Sequence, residues 1–170
     1  SPLELDRRQR QMCIRDSIYG IQAAGSDYMV QAFESGEDVL TKAPICADTV
    51  ADSISADLPR DRIKAMRAVT ETNGAYVRVS DDEILYALPL LARGSGVFAE
   101  PAGATAYAGL IKAVNEGLVA PDEEVVVLST GSGLKDVASA MKAVTAAGTT
   151  PMVVDPNLEA LKQALVKGTQ

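Results

Sequence analysis

The run VVVLS from Val125 to Ser129 is followed at once by Thr130-Gly131-Ser132-Gly133 and then by a helical pattern from Leu134 to Ala147. This stretch most constrains the fold open to the chain. A continuously apolar, β-branched segment reads as a parallel strand covered on both faces, because such a strand meets helices above and below it. The Gly-rich turn lets the backbone reverse into a helix and sets Thr130 at the strand's carboxyl end, the edge where open α/β sheets bind ligands. A second corner lies upstream. There an extended piece ends at Glu100, and Pro101 opens a helix to about Leu118, with Ala104, Tyr107, Ala108, Ile111, Val114 and Leu118 on one stripe. Gly103 and Gly109 on that helix predict close approach to a sheet or another helix.

Earlier segments repeat the strand-then-helix rhythm. Ile18 to Ala23 is a short strand, and Ser26 is placed to cap a helix through Phe33 that stops near Gly36. Arg60 to Thr72 carries Ile63, Met66 and Val69 at helical spacing, and Asn73-Gly74 ends it. Ala75 to Val79 alternates as a strand. Ser80-Asp81-Asp82-Glu83 then forms a capping box before a helix holding Ile84, Leu85, Leu88 and Leu91, with Pro89 inside it. Met152 to Val154 reads as a last short strand, and Asn157 as the cap of a helix to Lys167. With no hairpin signals between them, these units predict a three-layer α/β fold with an open, mostly parallel sheet. Between Thr49 and Asp61 the pattern is irregular and rich in hydroxyls and carboxylates. Such a segment is either a functional or mobile loop or a plain surface connection.

Composition narrows the chemistry. The chain has 170 residues, 47% of them hydrophobic, enough for the core of one domain or a large part of one. A net charge of −7 argues against capture of nucleic acid, which needs clustered Lys and Arg. Histidine is absent, which removes His-based triads and His-ligated zinc. Chemistry must therefore rest on lysine, carboxylates, hydroxyls, backbone amides or a cofactor. Cys13 and Cys46 lack metal-ligand spacing, which fits a reduced cytoplasmic protein. No apolar run approaches the ~18 residues of a membrane span. Residues 1–17, SPLELDRRQRQMCIRDS, are dense in Arg and Gln and without periodicity. They read as a non-native or artefactual segment, the alternative being a charged N-terminal helix, and leave 18–170 for fold reasoning.

Taken together, GVFAEPAGATAYAGL, VVVLSTGSGLKD and the upstream TVADSI with Pro59 resemble the C-terminal half of threonine synthases. These are fold-type II enzymes dependent on pyridoxal 5'-phosphate (PLP), with the tryptophan synthase β-like architecture. The resemblance covers Ile18 to Ala143. Its EPAGA and TxADxI pieces are shared with threonine and serine dehydratases, whereas TGSGLKD discriminates better. The resemblance implies that residues 18–170 are the C-terminal portion of such an enzyme. It further implies that Thr130 hydrogen-bonds the pyridine nitrogen, that Ser129 adds a polar contact, and that Gly131 and Gly133 let the backbone approach the ring. Glu100 and Pro101 would lie near the cofactor's face. On the residues alone, Thr130 is also readable as a helix cap and Glu100 as an exposed carboxylate near a helix N-terminus.

Asp52, Ser53 and Arg60 are candidates for a phosphorylated substrate, since Arg offers a planar fork for phosphate; the alternative for Arg60 is an exposed residue at a helix start. The implied reaction is a carbon–oxygen lyase step converting O-phosphohomoserine and water into threonine and phosphate. The implied setting is a cytoplasmic homodimer. Neither the family's Schiff-base lysine segment nor its Gly/Asn-rich phosphate loop is recognisable, so the expectation is a fragment inactive on its own. A dehydratase of the same superfamily and a non-catalytic α/β binding domain are the competing readings.

Overall fold

The computed structural model describes residues 16–148 and 153–167. Most of the 1–17 segment, Cys13 and Met152 therefore lie outside the described residues. The central pair of strands is β1 (Gly20–Ala23) and β2 (Tyr76–Val79), parallel and in register from Gly20 opposite Tyr76 to Ala23 opposite Val79. Between them the chain passes through α1 (Tyr28–Ser35), a 3-10 turn at Asp52–Ile54 and α2 (Arg62–Glu71). After β2 come α3 (Asp81–Ser95) and α4 (Pro101–Asn115), a 3-10 turn at Gly133–Lys135, α5 (Val137–Ala146) and α6 (Leu158–Lys167).

Period-two alternation sorts the two strands into a middle layer. Ile21, Ala23 and Val79 point to one face and pack with Ile84 and Ala87 of α3 and Ala102 and Ala108 of α4. Tyr76 and Arg78 point to the other. Tyr76 packs among Tyr28, Met29, Ala32, Val39 and Met66, and Arg78 bridges Asp27 at 2.7 Å and Glu34 at 2.9 Å. The expected α/β architecture with helices on both faces of a parallel pair is therefore present. Ile84 is fully buried, worth about 1.5–3 kcal/mol of transfer free energy.

Local signals explain most of the helix ends. The Ser80 hydroxyl accepts from Glu83 N at 3.2 Å while Glu83 Oε2 accepts from Ser80 N at 2.6 Å, the capping box in both directions. Burial pushes the Glu83 carboxyl upward, yet its bonds to Ser80 and the charge of Lys112 outweigh that and hold it below the usual carboxylate range. Gly36 ends α1 in the left-handed conformation at φ 70°. Asn157 Oδ1 accepts from Ala160 N at 2.9 Å at the start of α6.

Several expectations fail for want of non-local information. Ser26 does not cap α1; its hydroxyl donates to Ile54 O at 3.4 Å and accepts from Ala56 N at 3.0 Å. The first turn of α1 is capped instead from β1, where Gln22 Oε1 accepts from Met29 N at 2.8 Å and Val30 N at 3.1 Å. Residues 125–129 form no ladder, and Val126 and Leu128 are 87% and 77% exposed. A run of this kind becomes a covered strand only against neighbours, and among the described residues none lies beside it. Val153 and Val154 likewise form no strand. α4 ends at Asn115 rather than near Leu118, and Val114 on it and Leu118 beyond it are exposed although their spacing placed them on the buried stripe.

Candidate active site

The first turn of α4 is where the ligand-poised segments meet. Pro101 occupies the first helical position, where its missing N–H costs nothing. Glu100 is the cap residue, but its side chain caps nothing. It is turned inward, 5% exposed, and its Oε1 accepts from Lys135 Nζ at 2.9 Å. A carboxylate so far from water needs a cation, and the turn after residue 129 supplies one.

That turn is laid against residues 98–100 by main-chain bonds. Glu100 N donates to Gly131 O at 3.2 Å, Gly133 N donates to Phe98 O at 3.0 Å, and Ala99 bridges Ser132 in antiparallel fashion. Gly131 has φ 79°, and a Cβ there would strike the Glu100 carboxylate, so both conformation and space demand glycine. Gly109 of α4 lies against Ile21 of β1, the close approach to a sheet expected of it, whereas Gly103 lies directly against Thr130 O of the turn. Ser129 Oγ completes the clamp by donating to Gly103 O at 3.1 Å.

Thr130 is held between these clamps with its side chain exposed and without a hydrogen bond among the described residues. It caps no helix. Ser132 accepts from Leu134 N at 3.3 Å, and Asp136 accepts from Ser139 N at 3.0 Å to open α5, which therefore starts at Val137 rather than Leu134. The Ser139 bonds hold the Asp136 carboxyl below its ordinary range.

The Asp52–Ile54 turn packs on the same helix, with Ala51 and Ile54 in the core that contains Ala102. The irregular segment around it is tied down. Asp81 accepts from the Thr49 hydroxyl and from Val50 N, Gly25 O accepts from Asp48 N at 2.8 Å, and Asp57 accepts from Ala47 N at 2.8 Å. Asp52 and Ser53 are exposed, the Ser53 hydroxyl donating to Asp52 Oδ1 at 3.2 Å. Arg60 is exposed and no hydrogen bond or ion pair joins it to either. Its neighbour Arg62 is the structural one, donating to Val39 O at 2.7 Å and Pro59 O at 3.2 Å. Thus α4 gathers Ser129, Thr130, Gly131, Glu100 and the Asp52–Ser53 turn, and leaves Arg60 apart. Among the described residues no group of His, Cys, Asp and Glu has the geometry to hold a metal ion.

A family model described as "Pyridoxal-phosphate dependent enzyme" matches residues 10–131. The chain belongs to this PLP-dependent family. The match begins inside the 1–17 segment and ends on Gly131, within the clamped turn. Threonine synthase of Methanosarcina acetivorans is 39% identical over 146 residues, covering 86% of this chain and 35% of that protein. Threonine synthase of Methanocaldococcus jannaschii is 37% identical over 148 residues, with the same shares of 86% and 35%. The chain therefore spans about a third of the length of the curated relatives it matches. Among solved structures, serine racemase from Dictyostelium discoideum is similar with a TM-score of 0.48 at 19% identity, covering 64% of this chain and 33% of that one.

The donor set of this family member fits one side of PLP. Thr130 presents an exposed neutral hydroxyl, unpartnered among the described residues, while Glu100 covers Gly131 and Phe98 covers Gly133 on the turn that follows. Among the described residues the cofactor's aldehyde and phosphate find no such match. Lys42, Lys64, Lys112 and Lys162 are paired with Glu37, Asp61, Glu83 and Glu159, Lys135 is paired with Glu100, and Lys142 on α5 is exposed with no ion pair among the described residues. Sequence reasoning missed Lys135 and Asp81 as residues that shape the site. Their partners lie 35 and about 31 positions away, a range at which no periodic signal operates. The one available hint was an acid at one corner and a lysine at the other.

Proposed function

We propose that this chain is the C-terminal portion of a threonine synthase, converting O-phosphohomoserine and water into threonine and phosphate, and that it contributes the pyridine side of the PLP site. The observation that supports it is Thr130, exposed, unpartnered and clamped from both sides by Glu100 and Gly103. PLP, when bound, supplies the electron sink that lets protons leave the substrate carbons. Thr130 offers the ring nitrogen a neutral hydroxyl, which holds it by hydrogen bonding without delivering a full charge. Gly131 lets the turn pass under the Glu100 carboxylate at φ 79°, Gly133 lets it pass under the Phe98 ring, and Ser129 spends its hydroxyl on Gly103 to fix the turn. Asp52, Ser53 and Arg60 are the proposed substrate-side residues; the tied-down turn gives the first two a fixed position on α4.

The Schiff-base lysine and the loop for the cofactor phosphate are assigned to a part of the enzyme outside this chain, so residues 18–170 alone turn over no substrate. The working enzyme is proposed to be a cytoplasmic homodimer with no nucleic-acid partner. Among the described residues no helix is long and apolar enough to cross a membrane. Recovering the adjoining coding sequence and assaying the full-length protein tests the proposal. Phosphate release from O-phosphohomoserine supports it. Formation of 2-oxobutanoate from threonine with no phosphate release would replace it with a dehydratase. Adjoining sequence without a Schiff-base lysine would point to a non-catalytic domain.

A further inference from the structure

We propose that Lys135 is a positioning residue for the Thr130 hydroxyl, acting through the buried carboxylate of Glu100. The inference rests on the reading of Thr130 as a cofactor contact. Glu100 holds both ends of the turn: its backbone N–H donates to Gly131 O at 3.2 Å, and its side chain receives Lys135 Nζ at 2.9 Å. The segment from Gly131 to Lys135 is thereby closed on a single residue.

The two partners differ in exposure. The Glu100 side chain is 6% exposed and the Lys135 side chain 58%, so the lysine reaches inward from water to meet a charge that has left it. The carboxylate also fills the space over Gly131 that a Cβ would take. Without the ammonium, the buried carboxylate is stranded away from its cation and swings out to solvent. Swinging out empties the space over Gly131 and frees the turn to shift under Thr130. Among the described residues no other side-chain hydrogen bond ties that side of the turn to residues 98–100, where the Phe98 ring packs over Gly133; the opposite side is held by Ser129 on Gly103. Lys135 thus governs where the hydroxyl stands without itself touching the ring.

The test uses the full-length enzyme and three variants: Lys135→Met, Lys135→Arg, and Lys135→Met combined with Glu100→Gln. Lys135→Met is expected to weaken PLP binding roughly tenfold, a modest share of what stranding a buried charge costs. Lys135→Arg keeps the charge and is expected to stay near wild type. The double variant removes the charge that needed a partner and recovers most of the loss. A double variant as weak as the single would overturn the proposal.

Amide hydrogen exchange provides a readout without cofactor. In Lys135→Met the amides of Glu100 and Gly133 should exchange faster while those of β2 do not change; equal exchange at Glu100 and Gly133 overturns the latch whatever PLP does. A wild type that binds no PLP, with the exchange difference intact, sinks the cofactor reading and leaves the latch standing.

Discussion

Two β-rich runs in this chain, Tyr76–Val79 and residues 125–128, meet opposite ends. The first is β2, hydrogen-bonded to β1 and covered by helices on both faces, with Val77 and Val79 at 4% and 0% exposure. The second is the more apolar of the two, yet Val126 and Leu128 stand in water. Apolar character sets how strongly a segment gains from burial, but a neighbouring strand decides whether the gain is realised. β1 lies within the described chain and supplies that neighbour to β2. The run before Thr130 is fixed only at its carboxyl end, by Ser129 on α4 and by the turn clamped to residues 98–100. The chain thus holds a packed body and, attached to it at one corner, an apolar segment that no described strand covers.

The contrast can be broken by mutation. Ile84→Ala, on the α3 face that covers β2, should cost about 2–5 kcal/mol in a denaturant melt of the chain, whereas Val126→Ala should stay within about 0.5 kcal/mol. Equal losses would show that the second run is packed after all. Gly103→Ala should cost about 1–3 kcal/mol, because the added methyl meets the Thr130 carbonyl where α4 and the turn touch. No loss there would mean that the corner is looser than described.

Ser80→Ala, at the junction of β2 and α3, should cost about 0.5–2 kcal/mol. Its partner Glu83 makes the effect depend on pH. With its carboxyl held low in the fold, Glu83 adds stability that is present above its unfolded value of about 4.3 and lost as pH falls through the lower folded value. Glu83→Gln should flatten that acid-side slope in thermal melts.

A smaller effect, of opposite sign, concerns Tyr76, whose hydroxyl is buried with no hydrogen-bond partner among the described residues. Tyr76→Phe should stabilise by up to about 1 kcal/mol, since no bond is lost and a stranded polar group leaves. Burial pushes this phenol up to about 12. The unfolded chain ionises it near ~10, so in the wild type this contribution is whole below about pH 10 and disappears as pH rises toward the folded value. The phenylalanine variant should lack that alkaline slope.

Features that act within one turn of chain were legible in the sequence. The Ser80–Glu83 box, Pro101 opening α4, Gly36 closing α1 and the Asn157 cap all depend on neighbours three or four residues away. The alternation of β2 was legible for the same reason. The cap of α1 by Gln22, the tie from Asp81 to Thr49 and the Glu100–Lys135 pair depend on tertiary proximity, which local pattern does not encode. The cap reading of Thr130 also failed, because Gly133 N is taken by Phe98 O and the turns that follow are capped by Ser132 and Asp136. Of the site, the two corners and the glycines were readable; what holds the corners together was not.

The central claim is that Thr130 serves the cofactor and not the fold. Its most direct test is steady-state phosphate release from O-phosphohomoserine by the full-length enzyme carrying Thr130→Val. Because the side chain is exposed and bonded to nothing among the described residues, the melting temperature should not change. The account predicts a kcat reduced by roughly tenfold or more with KM little altered, the pattern of a contact made mainly in the transition state. An unchanged kcat in a stably folded variant would contradict it.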